Sequence, residues 1–213
     1  MLVFRGFEPM DVFGPIEALL TLSRYYKMNI ALLSETMDPV DTRPPTAAGN
    51  PLNSNVFQQV LPTHTLKTAP KDLEVLIIPG EAGSRSPLLN DTIAYIAETY
   101  PKLKYLITVC TGSLLAAKAG VLDGKHATTN KAAWYSIVKQ RPQVNWVSHA
   151  RWTVDGNIWT SSGISAGIDI TLAFIECQFG NMTATKVANF MEYERHTNAE
   201  WDPFAAIFNV TGV

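Results

Sequence analysis

The sequence predicts an α/β protein: a doubly wound, mostly parallel sheet with helices on both faces. Three observations carry this. Short apolar runs alternate along the chain with stretches of helical period. The strand candidates are apolar throughout rather than alternating, as in strands covered on both faces. The length, 213 residues, suits one such domain.

The elements follow in order. Leu2–Phe4 is a short apolar strand candidate, followed by a turn over Gly6–Pro9. From Asp11 to Tyr26, Ile16, Leu19, Leu20 and Leu22 fit a helical face, with Gly14-Pro15 near its start. Met28–Leu33 reads as a second strand, and Leu73–Ile78 as a third, closed by Pro79-Gly80. Thr92–Tyr100 is helical, with Asp91 as its cap and Pro101 as its stop. Leu103–Val109 is a strong strand, and Gly112–Ala119 a helix ended by Gly120. Lys131–Gln140 is a further helix, closed by Pro142, and Val144–Val147 a further strand. A hairpin joins Ala150–Val154 to Ile158–Thr160 through the turn dipeptide Asp155-Gly156. Ala166–Phe179 and Thr183–Arg195 close the pattern as helices. Asp38–Asn55 is the one linker-like stretch. A boundary there would leave too short an N-terminal piece for a core of its own. It is expected to be a surface excursion within a single domain spanning 1–213.

Composition narrows the function classes. Hydrophobic types make up 46% and charged types 17%, below the ~25% charged fraction of average globular proteins. This suggests a large core and a buried subunit interface. With 17 basic against 19 acidic residues, no basic field exists for nucleic acid or an anionic membrane. No run approaches the roughly 18 apolar residues of a spanning helix. Charge and proline interrupt the N-terminus too early for a signal peptide. Two cysteines cannot form a disulfide framework. A soluble, cytoplasmic protein is expected.

In open α/β sheets ligands bind beyond the carboxyl ends of the strands, which here means Gly6–Asp11, Pro79–Gly83, Cys110–Ser113 and Ser161–Asp169. Cys110 ends an apolar strand, and Thr111-Gly112-Ser113 opens a helix. A tight turn there would lift the side chain from the sheet edge toward helix amides that favour thiolate. Cysteine is also among the most buried residue types, so position alone leaves nucleophile and core filler open. Cys177, between Phe174, Ile175 and Phe179, reads as core. Asp11 should lie at the same edge as Cys110, although an acid there also reads as a helix cap; Glu8 reads as solvated. Gly163-Ile164-Ser165-Ala166-Gly167 matches the Gly-x-Ser-x-Gly elbow of α/β-hydrolases. The later acid and histidine strands of that fold are not seen. Its glycines fit a tight turn and close helix packing, with Asp169 complementing a helix N-terminus. The chain has no dinucleotide or phosphate-loop motif, and its four histidines lack metal-ligand spacing. Nothing implies a cofactor. The five tryptophans read mostly as core.

At these residues the sequence resembles the ThiJ/PfpI family, with the fold of class I glutamine amidotransferases. Five blocks in order carry the likeness: the first turn and helix around Asp11, Leu-Ile-Ile-Pro-Gly80, Cys110-Thr111-Gly112-Ser113, Leu-Asp-Gly-Lys-His-Ala-Thr-Thr, and Gly-Ile-Ser-Ala-Gly-Ile-Asp. Asp in the first turn and Thr after the Cys resemble the isonitrile hydratase branch and the sensor domains of AraC-type regulators. The resemblance implies Cys110 as nucleophile and Asp11 as a buried, protonated acid that hydrogen-bonds the sulfur and shares its proton. It also implies main-chain N–H groups of the Gly80–Glu81 loop and of Thr111, with the Thr111 hydroxyl, as charge stabilisers. Gly163, Ile164, Ser165 and Asn130 become pocket candidates. A small electrophilic substrate and a homodimer are implied.

Three features depart from the family pattern. Glu81 stands where relatives often have a second glycine, so the loop either differs or brings Glu81 into the pocket. Asn130 stands where they often have His. The chain starts within its first strand, which should be central. The expected activity is hydration of an isonitrile to an N-substituted formamide. The alternatives are glyoxalase- or deglycase-like chemistry on α-oxoaldehydes, which the absence of His beside Cys110 disfavours, and a redox- or ligand-sensing module using Cys110 oxidation. The residues after Gly180 are too few for a DNA-binding part, so an AraC-type regulator is not expected.

Overall fold

The computed structural model describes residues 1–211. Its elements are helix α1 (Pro9–Leu22), strands β1 (Leu33–Ser34), β2 (Val40–Asp41), β3 (Gln59–Val60), β4 (His64–Thr65) and β5 (Val75–Ile78), helix α2 (Asn90–Thr99), strand β6 (Tyr105–Thr108), helix α3 (Gly112–Lys118), strand β7 (His126–Ala127), helix α4 (Trp134–Val138), strands β8 (Asn145–Trp146), β9 (Trp152–Asp155) and β10 (Ile158–Ser161), and helices α5 (Ala166–Phe179), α6 (Asn181–Phe190) and α7 (Phe204–Ile207).

The central layer runs β5-β6-β10-β9, parallel except for β9. Residues Met1–Phe4 continue it. The Leu2 N–H donates to the Ile77 carbonyl and the Val3 N–H to that of Leu33. The first segment therefore lies between β5 and the parallel pair β1-β4. It is central, as the family resemblance implies, and Leu2, Val3 and Phe4 are buried. Helices α1, α5 and α6 pack in one layer around Ala18, Leu22, Leu172, Ile175 and Val187. Helices α2 and α3 pack on each other, with α3 against β5 and β6. This is the doubly wound α/β arrangement. Among the described residues no helix is long and apolar enough to cross a membrane.

Several expected elements change for local reasons. The strand expected over Met28–Leu33 shrinks to Leu33–Ser34, because the Leu32 amide bonds the Thr63 hydroxyl instead of a neighbouring strand. Asp91 lies in the first turn of α2 but is not its cap, a position held by Leu89. Asp155 pairs with Ile158, so the hairpin loop is Gly156-Asn157, one residue later than the dipeptide rule suggests. The segment at 38–55 is held at its base, where Val40–Asp41 pairs with Gln59–Val60 and the Asp41 carbonyl accepts from the Gly6 N–H. Cys177 is exposed rather than core. The stripe of α5 that faces α1 and α6 runs through Ile168, Leu172 and Ile175, which turns Cys177 outward. Trp134, Trp152 and Trp159 are buried, whereas Trp146 is half-buried and Trp201 exposed.

Helices α4 and α6 are shorter than their patterns predict because buried charges claim the flanking chain. Arg151 Nε bonds the Asp169 carboxylate at 2.6 Å. The other oxygen of Asp169 accepts from the Tyr193 hydroxyl and the His196 N–H. Asp169 lies in the first turn of α5, as expected, and also anchors the chain after α6. Lys131 donates to Thr128 Oγ1 and to the carbonyls of Thr129 and Ala150, and pairs with Asp202 at 3.3 Å. Both ion pairs are buried. Together they fasten the last twenty or so described residues to the sheet.

Candidate active site

The register of the central strands places three strand-end turns side by side. Ile78 pairs with Thr108, and Thr108 with Thr160. Pro79–Gly80, Val109–Thr111 and Ser161–Gly163 therefore leave the sheet at one edge. Cys110 takes φ 58°, a left-handed conformation uncommon for a residue with a Cβ. Its N–H donates to the Ser162 carbonyl at 3.1 Å. Its own carbonyl accepts from Thr129 and Ser113 hydroxyls. The strained elbow is thus fixed on both sides of the sulfur.

The sulfur is not lifted clear of the protein: Cys110 is 1% exposed. Burial pushes the thiol up and the Asp11 carboxyl beside it pushes further, against N–H donors from Ile164, Asn130 and Thr111. The backbone amides favour thiolate, as expected of the turn, but burial and the neighbouring Asp11 oppose them. Asp11, in the first turn of α1, is fully buried. Its Oδ2 accepts from the Gly80 N–H at 2.8 Å, while Oδ1 has no hydrogen-bond partner. Burial holds this carboxyl well above its ordinary value, opposed by the Gly80 N–H and, more weakly, by the Cys110 thiol, and reinforced by Glu8 and Glu81. Glu8 is half-buried rather than fully solvated, and burial followed by Glu81 raises its carboxyl.

The loop expected to stabilise charge is built differently. The Gly80 N–H is occupied by Asp11. The Glu81 N–H donates to Thr111 Oγ1 at 2.8 Å, and the Ser84 hydroxyl reaches the same oxygen at 2.9 Å. Gly80, Glu81 and the Thr111 hydroxyl are therefore tied to protein partners. The N–H groups beside the sulfur are those of Thr111, Ile164 and the Asn130 side chain. A Cβ on Gly80 would lie 2.4 Å from the Thr111 nitrogen, so only glycine lets the two loops meet. Glu81 takes φ 96°, ψ −165°, a region otherwise occupied almost solely by glycine. The loop keeps the shape a second glycine would give it, and the glutamate is strained into it.

Among the other candidates, Asn130 Nδ2 donates to Cys110 Sγ at 3.2 Å. Gly163 lies against that amide, and Ile164, at φ 43°, is partly exposed at the rim. Ser165 faces Arg151 at 3.5 Å, and no hydrogen bond joins it to a histidine among the described residues. His196, the sole downstream histidine, stacks on Trp201. The hydrolase-like motif is thus a turn before α5. Sequence reasoning missed Ser84, which locks the Glu81 loop, and the Ile164 N–H; neither residue type marks its role. Two open clefts, of about 760 and 820 Å³, lie elsewhere and are not lined by Cys110. Among the described residues no group of three or more His, Cys, Asp and Glu side chains is placed to hold a metal ion.

The sequence profile of the DJ-1/PfpI family matches residues 1–177. The chain belongs to the DJ-1/PfpI family. It is 32% identical over 195 residues to an isonitrile hydratase of Pseudomonas putida, covering 90% of this chain and 76% of that protein. It is also 26% identical over 142 residues to the HTH-type transcriptional regulator GbdR of Pseudomonas aeruginosa, covering 67% of this chain and 38% of the regulator. Among solved structures, a ThiJ/PfpI family protein from Pseudomonas syringae superposes with a TM-score of 0.76 at 25% identity, covering 99% of this chain and 84% of that one. An AraC family transcriptional regulator from Pseudomonas putida shares the fold at 18% identity, with a TM-score of 0.71 and coverage of 89% and 96%. The DJ-1/PfpI family therefore includes both an enzyme and regulators among the relatives of this chain.

Proposed function

We propose that the protein hydrates an isonitrile to an N-substituted formamide without a cofactor, using Cys110 and Asp11. The observation that carries this is a buried sulfur, bonded by the Asn130 amide and with the Ile164 and Thr111 N–H groups near it, paired with the buried Asp11 carboxyl. The kinship with an isonitrile hydratase supports the substrate class.

The reactive form of the pair holds one proton. In the reactive tautomer the charge lies on sulfur and the proton on Asp11; the donors near the sulfur, against one at the carboxylate, make that tautomer accessible from the thiol–carboxylate pair. The thiolate attacks the terminal isonitrile carbon. As the S–C bond forms, the Asp11 proton passes to that carbon, giving a thioimidate. The Asp11 carboxylate then takes a proton from water and relays it to nitrogen while hydroxide adds to carbon. The C–S bond breaks, the hydroxyl proton returns to Asp11, and the formamide leaves with the thiolate restored. Donors at the sulfur serve both the attack and the departure, which are the steps where charge concentrates there. Activity should follow a bell in pH, rising as the pair loses its first proton and falling as it loses the second.

A panel of isonitriles, α-oxoaldehydes and acyl amides, with products followed by NMR, tests the proposal. It expects formamide from isonitriles, with the rate at least about 10³-fold lower in Cys110→Ser. Isonitriles left unchanged by the wild type, or consumed equally by the variant, would refute it. Kinship with regulators favours a sensing role as the second reading. Under that reading no substrate is turned over, and mild peroxide adds oxygen to Cys110. The protein is further taken to act in the reducing cytoplasm as a homodimer, the exposed Met10, Phe13 and Leu20 of α1 offering an apolar contact.

A further inference from the structure

Asn130 stands at the sulfur with more precision than a pocket-lining residue needs. Its Nδ2 donates to Cys110 Sγ at 3.2 Å. Its Oδ1 accepts from the Ala133 N–H at 3.1 Å, just ahead of α4. Turning the amide over would set its oxygen against the sulfur and its NH₂ against the Ala133 N–H, so both ends select one orientation. The neighbouring Thr129 holds the Cys110 carbonyl at 3.1 Å, so one short loop grips the elbow by its backbone and its side chain. Space for the amide comes from Gly163, where a Cβ would fall 2.5 Å from Nδ2.

We propose that Asn130 is a catalytic hydrogen-bond donor to the Cys110 sulfur, aimed by Ala133 and accommodated by Gly163, and that as an amide it leaves Asp11 the only proton acceptor at the sulfur. This rests on the reading of Cys110 as the nucleophile. The amide N–H bonds a thiolate more strongly than a thiol, because charge-assisted hydrogen bonds are the stronger kind. An amide has no basic lone pair, so it cannot take the thiol proton as an imidazole would. The donor also stays constant with pH. Proton traffic is therefore confined to the Cys110–Asp11 pair, and the pH dependence of the sulfur belongs to that pair alone.

The test follows alkylation of Cys110 by iodoacetamide against pH, in a Cys177→Ser background because Cys177 is exposed, alongside kcat. Asn130→Asp retains an acceptor for Ala133 while removing the donor, and Asn130→Ala removes both. Each should move the alkylation midpoint to higher pH and lower the neutral-pH rate about 10²-fold, the low end of the loss expected for one donor to a developing anion. Gly163→Ala, with Asn130 intact but displaced, should reproduce the shift. Asn130→His should move the midpoint down and add a second inflection near the ordinary imidazole range. Asn130→Asp or Gly163→Ala protein that melts as wild type yet alkylates with an unchanged profile overturns the proposal. The alkylation readout needs no substrate, so it stands apart from failure of the isonitrile panel. A wild-type Cys110 that resists alkylation at every pH would instead remove the nucleophile itself.

Discussion

Replacing Glu81 by glycine should stabilise the protein, and its backbone geometry sets by how much. At φ 96°, ψ −165° a residue with a Cβ carries about 1–3 kcal/mol of strain. A glycine would shed this but would loosen the unfolded chain, returning about 0.4–1 kcal/mol. The net gain is about 0.5–2 kcal/mol, a rise in Tm of roughly 1–8 °C for a protein of this size. The bonds that hold the loop are retained, because Glu81 uses its N–H to Thr111 and its carbonyl to Ser84. Glu81→Ala is the control: it removes the same carboxylate but keeps the Cβ, hence the strain. Thermal melts of the two variants side by side separate backbone from charge. Glu81→Gly should melt above both Glu81→Ala and wild type. If the two variants melt together, the strain argument is wrong.

Other predictions follow from the same geometry. Asp11→Asn should raise stability at neutral pH by about 0.5–2 kcal/mol, the usual gain when a functional site is relieved, while turnover is lost. The folded carboxyl lies above its ordinary value, so its ionisation costs stability as pH rises; the advantage should shrink toward zero below the ordinary carboxyl range, as melts across pH would show. The Cys110 thiol is likewise pushed up, so its contribution is full at neutral pH and is lost as pH rises past the ordinary thiol range. Alkaline melts should show Cys110→Ala losing less stability there than wild type. Arg151→Met strands the buried Asp169 carboxylate and should cost about 3–5 kcal/mol in urea unfolding. A loss below about 1 kcal/mol would mean the pair is not the anchor described.

Much of the layer order is legible locally. Helix α5 begins and ends where its pattern predicts, at Ala166 and Phe179, because the turn before it and Gly180 after it are both encoded nearby. The strand ends around Gly80, Cys110 and Ser162 converge for the same reason, since apolar runs and their terminating turns fix which side chains leave the sheet together. Legibility fails where the deciding partner is distant in sequence. Lys131 and Asp202 look like surface charges until the fold buries them against each other, and that contact truncates α4. The state of Cys110 depends on Asp11, and that of Asp11 on Gly80. A motif shows that a cysteine ends a strand but not how much water remains around it. Cys177 fails in the opposite direction: flanking aromatics suggest a core, yet half a helical turn separates it from the packed stripe.

The coupling between Asp11 and Cys110 is tested most directly by the pH profile of Cys110 alkylation in Asp11→Asn, with Cys177 replaced in both proteins. Removing the carboxylate takes away one of the two causes that raise the thiol, so the midpoint should move to lower pH even as turnover disappears. A midpoint that stays with wild type would show that the sulfur does not sense Asp11, and the paired mechanism would fall with it.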